Sequence, residues 1–329
     1  MTNTIDLPHF GVFSADDGLI PLTASSDGLH RAGEDGVRAI ATTGDGKVEF
    51  IGFDQHTLAY VRSALGYPAY YPVPSVELHR PVQAVLMDLD GTSVHSEPFW
   101  VWIMQMTTAS LLGDPDFELE EADLPHVSGH SVSEHLSYCL TKYCPDRTLE
   151  QARSRYFEHT HRELAAILAG GGRKEAMQPA PGLKDFLLWT KGRGIKIALV
   201  TSGLYEKAYP EIKAAFDLLA MGAPEKFYDA IITAGFPLRP GEAGTLGELA
   251  PKPHPWLYAE ACRVGLGIPF EQRHGVIGID DSGAGVCSVR LSGFTTVGMA
   301  GGNIEAAGAR VLCQHICQDF SEVARVIEG

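Results

Sequence analysis

Five apolar runs, at residues 84–88, 195–200, 229–233, 275–280 and 294–298, alternate with helix-like segments. Alternation of that kind implies a parallel sheet with helices on both faces. Ligands of such sheets bind beyond the carboxyl ends of the strands, so the polar residues that close these runs are where chemistry is to be sought. The chain of 329 residues exceeds the usual size of one domain, and two or three are expected. Its hydrophobic fraction of 45% is ordinary for a protein with a real core.

The first run reads Ala84-Val-Leu-Met-Asp88-Leu-Asp90-Gly91-Thr92. Strands place alternate side chains on one face, so Asp88 and Asp90 would aim to the same side. Two carboxylates that close repel unless a cation lies between them or one holds a proton. The pair suits a Mg²⁺ site, or a nucleophile with a general acid; a strand closed by a polar Asp-Gly turn would use the same residues. Three further segments close later runs or follow them: Val200-Thr201-Ser202-Gly203, Pro251-Lys252-Pro253-His254-Pro255, and Ile279-Asp280-Asp281-Ser282-Gly283.

In that order the four segments resemble the signature motifs of the haloacid dehalogenase superfamily, over residues 82 to 329. Pro181-Gly182 with Leu183, Leu187 and Leu188 resembles the family's helix before the second motif. The resemblance implies an α/β fold: a Rossmann-like doubly wound parallel sheet with an inserted α-helical cap of the C1 type, in the β-phosphoglucomutase and phosphatase branch. The core would be 81–94 with 180–329 and the cap 95–179. Residues 1–80 fall outside the likeness and read as an α+β extension of unknown role.

By this resemblance Asp88 is the nucleophile that becomes an aspartyl-phosphate, which splits one hard displacement into two easier ones. Asp90 protonates the leaving oxygen and then activates water. Thr201 binds a phosphoryl oxygen, with the amides of Ser202 and Gly203 nearby and a helix starting at Gly203 or Leu204 adding its positive end. Lys252 neutralises phosphate and Asp88 together. Asp88, Asp281 and the backbone carbonyl of Asp90 would hold Mg²⁺, with Asp280 either a further ligand or a support behind the ligands. Thr92 would fix the turn, and His254 is expected to be a loop residue rather than a ligand.

The stretch from 95 to 179 carries helical segments at 98–112, 131–143 and 149–169. Within it, Ser128-Gly129-His130-Ser131 resembles a substrate-specificity loop, so Gly129, His130 and Ser131 are candidate substrate contacts; Ser131 with Glu134 would equally make a capping box. Glu118, Glu120, Glu121 and Asp123 read as a solvated acidic loop. His95-Ser96-Glu97 departs from the Asp-Ser-Glu of many relatives. In the extension, 37–43 and 47–53 flank Gly44-Asp45-Gly46 as a hairpin. Asp54 is expected to cap a helix through Leu65, and Pro68, Pro72 and Pro74 to form an extended linker.

A formal charge of −15 argues against nucleic acid or an anionic membrane as partner. No run approaches the roughly 18 apolar residues of a membrane span, and the polar start is unlike a signal peptide. Six cysteines lack metal-site spacing; Cys313 and Cys317 are expected to pack along a helix. These features fit a reduced cytoplasmic protein, monomer or homodimer, acting on a small phosphorylated metabolite. Asp90 argues against a dehalogenase or phosphonatase, which lack a carboxylate there. The favoured reading is a Mg²⁺-dependent phosphatase; the alternatives are a phosphomutase of the β-phosphoglucomutase type and a non-catalytic binding protein.

Overall fold

The computed structural model describes residues 4–14, 17–62, 67–127, 132–233 and 250–329. The chain divides into two compact units. One comprises Met1–Ser93, Ala180–Ala208 and Glu225–Gly329, the other Val94–Pro179 and Tyr209–Pro224.

The first unit opens with a hairpin of β1 (Ile5–Leu7) and β2 (Gly11–Phe13). A five-stranded antiparallel sheet follows, ordered as in sequence: β3 (Ile20–Leu22), β4 (Ala39–Thr42), β5 (Val48–Gly52), β6 (Thr57–Val61) and β7 (Ala69–Pro72). The expected turn joins β4 to β5, with Asp45 Oδ1 accepting from Thr43 Oγ1 at 2.6 Å and from the Lys47 amide at 3.1 Å. The helix expected after Asp54 is instead β6. Thr57, Ala59 and Val61 are buried in alternation, and pairing with β5 on one side and β7 on the other outweighs the local helix signal. Likewise the proline-rich stretch is no free linker: β7 is the edge strand of this sheet, where a terminal proline is tolerated.

The chain then enters β8 (Ala84–Asp88). It leaves through β9 (Val94–His95) into α1 (Glu97–Leu112), α2 (Val132–Tyr143) and α3 (Leu149–Leu168), and returns through β10 (Gln178–Pro179). Thereafter come α4 (Leu183–Gly192), β11 (Lys196–Thr201), α5 (Tyr205–Leu218), α6 (Pro224–Phe227), β12 (Ala230–Thr233), α7 (Trp256–Glu260), β13 (Val276–Asp280), α8 (Gly283–Leu291), β14 (Thr295–Met299), β15 (His315–Cys317) and α9 (Phe320–Glu328).

Six of these strands form one parallel sheet in the order β12-β11-β8-β13-β14-β15. The five apolar runs of the sequence are five of its strands. The sixth, β15, replaces the helix expected around Cys313 and Cys317: three residues suffice at an edge, where Met299 of β14 pairs with Cys317. Ala84 and Leu86 of β8 pack with Tyr258, Leu266 and Val289, while the alternate Val85 and Met87 are equally inaccessible, so the sheet is covered on both faces.

The N-terminal sheet packs on this core. Leu7, Phe50, Ala59 and Val61 share one buried cluster with Val286, Cys287 and Leu291 of α8 and with Ile304 and Leu312. Arg290 of α8, only 1% exposed, donates to the carbonyls of His9 at 2.6 Å and Pro74 at 2.7 Å. At Gly18 and Gly308 the two backbones approach so closely that a Cβ on Gly308 would lie 2.3 Å from the Gly18 carbonyl oxygen.

In the second unit α1 and α2 pack with α3, whose start is closed by a reciprocal pair: the Gln151 amide donates to Thr148 Oγ1 at 3.2 Å and the Thr148 amide to Gln151 Oε1 at 3.0 Å. The acidic stretch before α2 differs from expectation. Asp123 is fully inaccessible and accepts from Lys142 Nζ at 2.6 Å, Tyr138 Oη at 2.6 Å, Tyr143 Oη and the Glu120 amide.

Candidate active site

Asp88 ends β8, the central strand, with β11 and β13 as its parallel neighbours. The sheet order reverses direction at that point, which opens a crevice beyond the strand ends. Thr201 ends β11 and Asp280 ends β13, so residues distant in sequence reach the same edge.

Lys252 connects them. Its side chain, 6% exposed, donates from Nζ to Asp280 Oδ2 at 2.7 Å, to Asp88 Oδ1, and to the carbonyl of Val200 at 3.4 Å. Its backbone amide donates to Ser202 Oγ at 3.1 Å, which ties the lysine loop to the residue after Thr201. Asp280 is saturated: Tyr258 Oη donates to Oδ2 at 2.7 Å, and the amide and hydroxyl of Ser282 donate to Oδ1 at 2.9 and 2.8 Å. Ser282 also caps α8, accepting from the Gly285 amide at 3.0 Å.

Asp90 is more open, 37% exposed, and stands between Thr201 and Lys207. Thr201 Oγ1 donates to its Oδ2 at 3.3 Å, and Lys207 Nζ lies 3.6 Å from its Oδ1. Thr92 Oγ1 donates to Asp281 Oδ1 at 3.1 Å, and Ser93 Oγ donates to the Asp88 carbonyl at 2.5 Å. Gly91 has φ +87°, and a Cβ there would fall 2.3 Å from Asp281 Oδ2. Only glycine permits both that backbone and that approach.

The electrostatics set three carboxylates against one ammonium. Burial, reinforced by Asp280, raises Asp88 well above the ordinary carboxylate range despite the pull of Lys252. Burial and Asp280 together lift Asp281 to about 7. For Lys252, burial works against the charge, but Asp280 and Asp88 outweigh it and hold the ammonium above its ordinary value. Asp88, Asp280 and Asp281 each place one carboxylate oxygen within 4.8 Å of the others. A hard divalent cation fits beside Asp88 and Asp281, because it would balance the charge that burial leaves unsolvated, with the already saturated Asp280 behind them.

The structure thus brings together Asp88, Asp90, Thr201, Ser202, Lys252, Asp280 and Asp281. The Gly203 amide donates to Thr201 Oγ1 at 2.9 Å, orienting that hydroxyl, and α5 begins at Tyr205, slightly later than expected. His254 lies in the loop before α7, as expected, and is buried there. Gly129, His130 and Ser131 lie outside the described residues. Sequence reading missed Tyr258, Lys207 and Ser93. Tyr258 carried no signal, since a tyrosine six residues beyond the lysine reaches Asp280 only through the turn of α7. Lys207, one turn beyond the Thr201 segment, could have been suspected.

The haloacid dehalogenase-like hydrolase family model matches residues 82–286. Among solved structures, a predicted phosphoglycolate phosphatase from Haemophilus somnus 129pt is 19% identical, covering 75% of this chain and 98% of that one, with a TM-score of 0.52. A protein assigned as a β-phosphoglucomutase from Thermotoga maritima is 22% identical over 75% of this chain and 98% of its own, with TM-score 0.52. CbbY from Rhodobacter sphaeroides, solved with phosphate, is 20% identical over 74% and 96%, with TM-score 0.51. These likenesses show a shared fold.

Proposed function

The chain belongs to the haloacid dehalogenase-like hydrolases, and from that premise we propose that it is a Mg²⁺-dependent phosphatase of a small, sugar-phosphate-like monoester. One observation carries the reading: Lys252 holds Asp88 and Asp280 together at the strand ends, with the exposed Asp90 carboxylate two residues beyond Asp88 and within reach of Thr201. CbbY with bound phosphate, a similar fold, supports a phosphorylated substrate.

Asp88 attacks phosphorus, and the ester P–O bond breaks as the leaving oxygen takes the proton of Asp90. Asp90, now a carboxylate, takes a proton from water; that water attacks the aspartyl-phosphate, releasing phosphate and regenerating Asp88. Lys252 keeps Asp88 and the anionic substrate from repelling each other, and Thr201 presents its hydroxyl to a phosphoryl oxygen. Asp88, Asp281 and the Asp90 carbonyl would hold Mg²⁺, which when bound neutralises charge on the phosphate. Asp280, its oxygens engaged by Lys252, Tyr258 and Ser282, supports Lys252. The unpaired cysteines suit a reducing cytoplasm, and no described helix is long and apolar enough to cross a membrane.

The test is phosphate release from a panel of phosphorylated metabolites, in Mg²⁺ and in EDTA. Metal-dependent release concentrated on one or a few sugar-like esters is expected. No release from any ester, with turnover appearing only when a sugar bisphosphate is added, would replace the phosphatase with a mutase.

A further inference from the structure

The N-terminal sheet reaches the lysine loop. Tyr71, on edge strand β7, places its hydroxyl 2.8 Å from Nδ1 of His254, two residues after Lys252. Trp256 Nε1 donates to the same hydroxyl at 3.1 Å. The phenol oxygen thus joins the indole and the imidazole in one hydrogen-bonded chain. The ring is 1% exposed, its burial favours the neutral form, and Nε2 has no hydrogen-bond partner among the described residues. Tyr71 therefore supplies the polar contact that orients this imidazole.

The rest of the loop is fastened to α8. Ser288 Oγ donates to the His254 carbonyl at 2.6 Å, and Ser292 Oγ to the Pro255 carbonyl at 2.9 Å. The helix is in turn held by the same N-terminal segment, through Arg290 to the His9 and Pro74 carbonyls. Helix α8 starts directly after Asp280-Asp281-Ser282. The N-terminal segment thus grips both the loop that carries Lys252, through Tyr71, and the helix behind the paired aspartates, through His9 and Pro74.

We propose that Tyr71 is a positioning residue for the reaction, hydrogen-bonding His254 to fix the loop that aims Lys252 at Asp88. The solved structures reported above cover about three quarters of this chain, and the likeness in sequence begins only after residue 80, so this contact is a contribution of the extension. The inference rests on the reading of Lys252 as a partner of Asp88 in phosphoryl transfer.

The experiment is a double-mutant cycle of Tyr71→Phe and Lys252→Ala in the full chain with Mg²⁺, read by hydrolysis of p-nitrophenyl phosphate and by calorimetric binding of inorganic phosphate. Phosphate binding reads the coupling without turnover. Tyr71→Phe keeps the ring and removes only the hydroxyl. It is expected to lower kcat by about tenfold and to weaken phosphate binding, since small displacements of an aimed group cost rate steeply. Placed in Lys252→Ala, the same change is expected to cost nothing further, because the group it positions is gone. A merely structural tyrosine would cost the same factor in both backgrounds, and that result, or no effect of Tyr71→Phe, overturns the inference. Unchanged activity and phosphate binding in Lys252→Ala alone would instead overturn the reading of the lysine, and the inference with it. Should Tyr71→Phe not fold, Trp256→Phe removes the neighbouring donor at a half-exposed position. A two- to threefold loss that likewise vanishes in Lys252→Ala is then expected, about the scale of one weak hydrogen bond.

Discussion

Two clusters of aspartate and lysine among the described residues have opposite characters. At the ends of β8 and β13, Asp88, Asp280 and Asp281 share one lysine, and Asp88 and Asp281 are pushed up in pKa. In the helical unit, Asp123 faces Lys142, which it shares with the exposed Glu120 at 2.8 Å, together with two tyrosine hydroxyls and a backbone amide. Burial would raise its pKa, but Lys142, Tyr138 and Tyr143 overcome that and hold it below the ordinary range. Residue types are alike, but Lys142 is 33% exposed against 6% for Lys252, and the balance of carboxylates to donors differs. Where donors match the carboxylate the cluster is structural; where carboxylates outnumber donors, the site stores charge that a cation and a reaction can use.

The comparison breaks most sharply at Asp88. Asp88→Asn is expected to reduce phosphate release by at least about 10³-fold, while melting in EDTA at pH 8 occurs no lower than in the parent, because a crowded charge has been removed. Retained turnover would strip Asp88 of its role. Lys252→Ala should cost about 10²-fold in turnover, with a stronger dependence on added Mg²⁺ for folding, since three carboxylates then lack their ammonium. Asp123→Asn should act on stability, lowering it by about 1–3 kcal/mol as a buried acceptor loses its charge. A urea midpoint equal to the parent's would show that the cluster is not structural.

The smallest effect expected is one of pH, with opposite signs for the two clusters. Asp281 is raised to about 7, above its unfolded value. Its contribution is therefore present in full below the unfolded value and lost as pH rises through about 7. In EDTA the protein should melt at a lower temperature at pH 8 than at pH 6, and Mg²⁺ should raise melting more at pH 8. Asp123 is depressed, so its contribution is complete above the unfolded value and erodes only as pH falls below it. Calorimetric scans across pH, with and without Mg²⁺, resolve both; an Mg²⁺ gain independent of pH would contradict the protonation assigned to Asp281.

Five strands of the parallel sheet and the carboxylates at their ends were legible, because a continuous apolar run closed by polar residues is a local signal. The helices α1, α2 and α3 were legible as helical segments, while the capping pair of Thr148 and Gln151 that opens α3 was not read from the sequence. The failures share one cause. Residues 57–61 carry no local instruction strong enough to decide between helix and strand; β5 and β7 on either side decide it. Asp123 reads as solvated among acidic neighbours, and only the packing of α2 brings Lys142, Tyr138 and Tyr143 to it.

The chain's own letters therefore determined the sheet, the order of its motifs and the identity of the groups at the strand ends, since periodicity and strand-end chemistry are properties of a few consecutive residues. Tertiary structure alone decided that Asp280 is saturated by Tyr258 and Ser282, that Lys252 bridges two strands, and that Tyr71 meets His254 across 183 positions of sequence. Those contacts depend on how elements pack, and no short stretch of sequence encodes the distance between residues that far apart.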